Sequence, residues 1–340
     1  MRRFPLTSLA ALLGCAFGFG AQAAELNIYS ARHYQTDEAL YAGFSEATGI
    51  KINRLELGDD PLLERLRAEG KRSPADVVLL VDATRLWRAQ QDGLFQPVDS
   101  ELLRERIPAH YRADDGSWYG FSTRARVIIY DPQKVQPTEV DSYLKLADPV
   151  NQGRLCTRSG SHPYNLSLFG AMFEHLGRVA VRDWLAGLVA NMGRSPVGGD
   201  TDQIKAVASG ECQVAISNSY YWVRMQLSDK PEDREVVGKV RMLWPDQQGF
   251  GTHVNLAGGA VAAHAPNRTA AVQFLEYLAS PQAQTYFAAG NNEWPVVAGV
   301  DHGNPALVAL GDFKADTLSL DAIARRTPEA QALLNEVGFK

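Results

Sequence analysis

Tyr220 and Tyr221 stand side by side in the stretch SNSYYWVRM (217–225), directly behind a run of small polar residues. Two more tyrosines occupy comparable places: Tyr34 in SARHYQTDEAL, next to His33, and Tyr164 in GSHPYNLS. Taken singly, a phenol at a helix start is usually a packed ring with a solvated hydroxyl, and His33 alone reads as a solvated or capping histidine. The adjacent pair is different. Two phenols in the first turn of one helix point about 100° apart around its axis, yet both can reach a site beyond its end. With Trp222 beside them they would also suit stacking on a sugar or an organic cation. Several phenol oxygens aimed at one point make a poor site for soft or borderline metals, where Cys and His dominate. Phenolate is a hard anionic donor, and Fe³⁺ is a hard ion that can draw a phenol's pKa from about 10 to below neutrality, as bound cations acidify water and thiols. Four phenolates around Fe³⁺ leave one excess negative charge, which a neutral His33 would not alter. Arg124, Arg126 and Arg224 are the candidates to offset it.

For these side chains to meet, each must sit where a strand gives way to a helix. LNIYS (26–30) and KINRLEL (51–57) flank an amphipathic stretch from Thr36 to Ala47, and ADVVLLVD (75–82) follows a charged helix from Pro61 to Gly70. That alternation predicts a parallel sheet with right-handed crossovers. A second series runs through RARVIIYD (124–131), GRLCTRS (153–159) and CQVAISNS (212–219), with helices expected at Asn165–Leu176 and Val179–Asn191, the first capped by Asn165 or Ser161. NLAGGAVAAH (255–264) reads as a buried strand, and NRTAAVQFLEYLAS (267–280) as a helix with an Asn cap that ends before Pro281; both are expected to return to the first lobe.

The chain is too long for one ordinary core and suits two α/β lobes. No linker rich in Gly, Pro or Ser separates them, so strands near Phe121–Arg126 and Gly249–Asn255 must cross between the lobes, and GFGTH (249–253) reads as a turn or hinge. Expected boundaries are residues 24–122 with 253–300 for the N-terminal lobe, and 123–252 with 301–340 for the C-terminal lobe. Two lobes on crossing strands enclose a cleft that can close by hinge motion. Ligands in open α/β sheets lie beyond the carboxyl ends of strands, which is where His33, Tyr34, Tyr164, Tyr220 and Tyr221 fall.

Arg2 and Arg3, the apolar stretch Leu6–Phe19 and Ala21-Gln22-Ala23 read as a secretory signal peptide over residues 1–23. Its loss would move the formal charge from −5 to −7. Leu12-Leu13-Gly14-Cys15 offers a lipid-anchored alternative, and the Arg pair leaves twin-arginine export open. Beyond the signal only Cys156 and Cys212 remain, so an exported chain would carry them as a disulfide, worth roughly 3–4 kcal/mol, or as two buried thiols. An acidic exported chain without a basic run argues against nucleic acid.

YSARHYQTDEALYAGFSEATGIKIN, SPADVVLLVDATRLWRAQQDGLFQPV, WYGFSTRARVIIYD, GDTDQIKAVASGECQVAISNSYYW and GTHVNLAGGAVAAHAPNRTAAVQFLEYLASPQAQ resemble the periplasmic ferric-iron-binding proteins of ABC importers, the Fbp and Fut proteins, and above all the Fut branch. The resemblance spans nearly the whole chain beyond the signal. It implies a two-lobed type II periplasmic binding protein that captures iron and delivers it to an inner-membrane ABC permease, without catalysis and as a monomer. It implies iron ligands at Tyr34, Tyr164, Tyr220 and Tyr221 with no bound anion required, while the residue matching His33 coordinates in some members only. Arg224 matches a basic residue that lies near the metal in some relatives and favours Fe²⁺ there.

Another small solute on the same fold, such as a polyamine, thiamine or an inorganic anion, is the alternative, and colour from phenolate-to-Fe³⁺ charge transfer separates the two. A secreted iron enzyme finds no support, since HExxH, GxSxG and P-loop motifs are absent from the sequence.

Overall fold

A computed structural model describes residues 24–32, 37–301 and 303–340. The expected signal peptide with Cys15, and the stretch from His33 and Tyr34 through Thr36, lie outside the described residues.

The chain opens with β1 (Glu25–Ser30), α1 (Asp37–Thr48), β2 (Lys51–Glu56), α2 (Asp59–Glu69) and β3 (Val77–Val81). These strands pair in parallel in the order β2-β1-β3, as the alternation of apolar strands and helices requires. Then come α3 (Ala83–Gln91), β4 (Phe95–Gln96), α4 (Glu101–Arg106) and the long β5 (Tyr119–Tyr130). The next stretch carries β6 (Leu155–Cys156), α5 (Pro163–Ala190), α6 (Asp200–Ser209), β7 (Val214–Asn218), α7 (Ser219–Gln226), α8 (Pro231–Lys239) and β8 (Arg241–Leu243). The chain closes with β9 (Val254–Ala262), α9 (Arg268–Leu278), α10 (Pro281–Asn291), β10 (Trp294–Pro295), α11 (Pro305–Val308), α12 (Leu320–Arg325) and α13 (Thr327–Val337).

The strand path is β2-β1-β3-β9-β5-β7-β6, with β4 on β9 and both β8 and β10 on β5. Every residue of β5 is buried, because it serves two sheets. Its first part, from Tyr119 to Ala125, lies against β9, and Arg126 to Tyr130 lie against β7. The period of two along each strand then sorts side chains into separate cores. Leu26, Ile28, Val77 and Leu79 face one core while Tyr29, Val78 and Leu80 face another. In the second sheet Ile128, Val214 and Ile216 face one core while Val127, Ile129 and Ala215 face the opposite one. Each sheet is therefore covered on both faces, and β5 is the strand that crosses.

One local expectation across this region holds and two helix caps are corrected. The two helices expected across 165–191 are both present within α5, which breaks at Gly177, where φ 77° and ψ 168° are non-helical, a conformation that a side chain would strain. Neither Asn165 nor Ser161 caps it: His162 does, accepting from the Tyr164 amide. Asn267 stands at the start of α9 without a capping hydrogen bond; its backbone N–H and its side-chain amide N–H both donate to buried Asp76, which holds the side chain toward that carboxylate. The turn before β9 matches its reading: Gly251 has φ 100°, and a Cβ there would meet the backbone carbon of Ala315 at 2.7 Å.

His253, just ahead of β9, is fully buried with its Nε2 3.0 Å from Ser167 Oγ. Burial pushes its imidazole pKa down to about 4; nearby Asp316 opposes this, while Arg126, His175 and Arg124 reinforce it. The folded chain thus binds fewer protons here than the unfolded chain between pH 6.5 and 4. Its stability is intact above that window and falls as the pH drops through it. His253→Gln should remove about 2–3 kcal/mol of the stability difference between pH 7 and pH 4.5, read from urea melts at both pH values. An equal pH dependence in both proteins would contradict this.

Candidate metal centre

Pro163 at the first helical position and His162 before it set where α5 begins. His162 Nδ1 accepts from the Tyr164 backbone N–H at 3.2 Å, and its ring meets the Tyr164 ring edge-on at 4.6 Å. Burial first, then the Arg158, Arg126 and Arg85 guanidiniums, push the His162 pKa down to about 2. The imidazole is therefore neutral, as an acceptor nitrogen must be. Tyr164 is fixed in the first turn of α5. Tyr220 and Tyr221 hold the corresponding place on α7, immediately after β7.

Helical side chains lean toward the N-terminus, so both α7 rings project past the helix start rather than diverging. Their centroids lie 4.2 Å apart at 31°. Tyr220 is buried and Tyr221 half-buried. The Tyr164 and Tyr220 phenol oxygens lie 3.3 Å apart. Three phenols from two helix starts thus share one place. Among the described residues, no group of three or more His, Cys, Asp or Glu side chains could hold a metal ion, so the donors on offer are phenols.

Positive charge surrounds them. Arg124 is 1% exposed, its guanidinium carbon lies 5.5 Å from the Tyr164 ring centre, and none of its three side-chain nitrogens has a hydrogen-bond partner among the described residues. Its nearest carboxylate is Glu293, at 3.9 Å. Burial lowers the Arg124 pKa, but Tyr164, Glu293, Asp82 and Tyr220 together more than reverse that. Arg224 lies 5.5 and 5.6 Å from the Tyr220 and Tyr221 ring centres. Arg126 is differently engaged: its guanidinium donates to Asp200, Asn218 and Asn165. Burial pushes the Tyr164 phenol up to about 12, with Arg124 pulling against it. Without a cation the Tyr164 phenol therefore keeps its proton. A cation that displaces the phenol protons finds hard oxygens with guanidiniums already in place to balance them.

Reading the sequence alone misses His162, Arg158, Asp200 and Glu293. His162 is recoverable, because a Pro that opens a helix marks the preceding residue as its cap. Arg158 lies 5.1 Å from the Tyr164 ring centre and pairs with Asp200; no local pattern marks it.

Two sheets sharing a crossing strand, with polar side chains gathered at strand-to-helix junctions, define a two-lobed periplasmic binding protein of type II. The chain belongs to the family of bacterial extracellular solute-binding proteins, whose profile matches residues 39–316. It is 48% identical over 322 residues to iron uptake protein A2 of Synechocystis, covering 94% of this chain and 91% of that one. Its structure is similar to that of the Trichodesmium protein IdiA (FutA) in complex with iron and citrate, with a TM-score of 0.90 and 47% identity over 93% of this chain and all of that one. It also superimposes on the ferric binding protein of Campylobacter jejuni, with a TM-score of 0.86 and 35% identity over 93% of this chain and all of that one. The two-lobed α/β fold expected from the sequence is the fold observed.

Proposed function

We propose that this protein is the periplasmic component of an ABC importer that binds Fe³⁺ between its lobes through tyrosine phenolates and passes it to an inner-membrane permease. The observation that carries this reading is the meeting of Tyr164, Tyr220 and Tyr221 beside a buried Arg124 whose guanidinium has no hydrogen-bond partner among the described residues. Arg124 and Arg224 offset the phenolate charge. His33 and Tyr34 complete the shell from the first lobe, and hinge closure brings them to the second-lobe phenols. The lobes divide at residues 122/123, 252/253 and 300/301. The chain acts as an exported monomer that binds and releases, without chemical turnover. The iron-binding names of its relatives support this choice over a polyamine, thiamine or an anion.

The test is the visible spectrum of the purified mature protein in ferric citrate, before and after a strong chelator. A red to orange charge-transfer band that the chelator abolishes is expected. A protein that stays colourless would overturn the reading.

A further inference from the structure

One fully buried carboxylate ties together the two helix starts that carry the phenols. Asp200, the first residue of α6, is 0% exposed. Its Oδ2 accepts from Arg126 Nη1 at 2.5 Å and from the backbone N–H of Asn218 at 2.8 Å, and its Oδ1 accepts from Arg158 Nη1 at 3.2 Å. Arg126 extends the connection, donating to Asn218 Oδ1 at 3.0 Å and to Asn165 Oδ1 at 2.6 Å. Asn165 directly follows Tyr164, and Asn218 lies two residues before Tyr220. Asn165 in turn donates to Thr157 Oγ1 and to the Arg158 and Ser159 carbonyls, which holds the loop ahead of α5. Two of the three spokes from Asp200 end on segments that present a phenol, Asn218 ahead of α7 and Arg158 ahead of α5, and the third, Arg126 of β5, passes on to Asn218 and Asn165.

A buried ion pair adds little stability over an apolar replacement of the same shape, and its best-attested use is to fix register. Here the register in question is that of α5 against α7. We propose that Asp200 is a positioning residue for metal capture, setting the spacing from which the Tyr164 and Tyr220 oxygens converge on one ion. This rests on the phenolate reading above. The sign of the effect separates positioning from charge. Binding Fe³⁺ with the loss of four phenol protons leaves the site one charge more negative, so a carboxylate acting as a charge alone weakens binding, and its removal would tighten it. As a positioning group, its removal weakens binding.

The experiment is Asp200→Asn in the mature chain, loaded from ferric citrate and titrated with a competing chelator. Iron affinity should fall about 10–100-fold, the usual cost of losing a group that orients metal ligands, and the charge-transfer band per bound iron should shift or weaken. In metal-free protein, amide hydrogen exchange should quicken at 164–166 and 219–222 but not in α2 or α9. Unchanged or tighter affinity with an unaltered band would overturn the proposal. If Asp200→Asn does not fold by circular dichroism, Asn218→Ala decides instead, because it deletes only the Arg126-to-Asn218 side-chain bond. A several-fold loss of affinity with an altered band supports the proposal, and wild-type behaviour overturns it. A colourless wild type would instead sink the phenolate reading itself, whereas a coloured wild type with an identical variant sinks only the role of Asp200.

Discussion

Tyr220→Phe is expected to abolish most of the visible band and to lower ferric affinity by about 100-fold or more, beyond the range typical for a group one step behind a metal ligand. The substitution deletes a single oxygen. The ring keeps its contact with Tyr221, 4.2 Å away, and its place in a buried site, so far-UV circular dichroism and the urea midpoint should hardly move. The deleted atom is the one that lies 3.3 Å from the Tyr164 oxygen, at the centre of the proposed donor set. Tyr41 supplies the control. Its hydroxyl is also buried, and burial pushes it up to about 12, but it packs in a core of the first sheet against Phe274. Tyr41→Phe should leave the band untouched. A Tyr220→Phe protein as coloured as the wild type, at equal iron content, would remove this phenol from the ligand set.

How far the arrangement can be read ahead of the coordinates depends on how local its causes are. The strands of the first sheet are visible as short apolar runs between helical periods, and their parallel order follows from that alternation. The second-lobe phenols are visible for a similar reason, since a strand followed at once by a helix delivers the first-turn residues to a sheet edge. What escapes reading is set by contacts between distant segments. Asn267 is a credible cap until Asp76, 191 residues away, holds its side chain. Arg126 is one basic residue among several until Asp200, 74 residues on, meets it inside the protein. Glu293 pairs with both Arg32 and Arg124, and none of these three has a spacing that announces the others. Gly177 is the opposite case, a local signal: two helices are expected to part there, and the backbone leaves the helical conformation at that residue.

Replacing both cysteines, Cys156→Ala with Cys212→Ala, should cost about 4 kcal/mol of unfolding free energy. The two form a disulfide with Cα atoms 5.9 Å apart across a sequence separation of 56 residues, and a loop of that length gives this value on the chain-entropy model. Both side chains are buried, and they join β6 to the segment entering β7, so relief of surface strain will not offset the loss. Iron colour is the informative second measurement. Cys212 lies ahead of β7, whereas the phenols follow its far end at Asn218, a strand length of about 17 Å away. The tie between α5 and α7 runs through Asp200 and Arg126 rather than through sulfur. The double variant should therefore unfold at lower urea yet bind iron with an unaltered band wherever it is folded. A bleached but stably folded variant would show that the disulfide, and not the buried ion pairs, sets the spacing of the phenols.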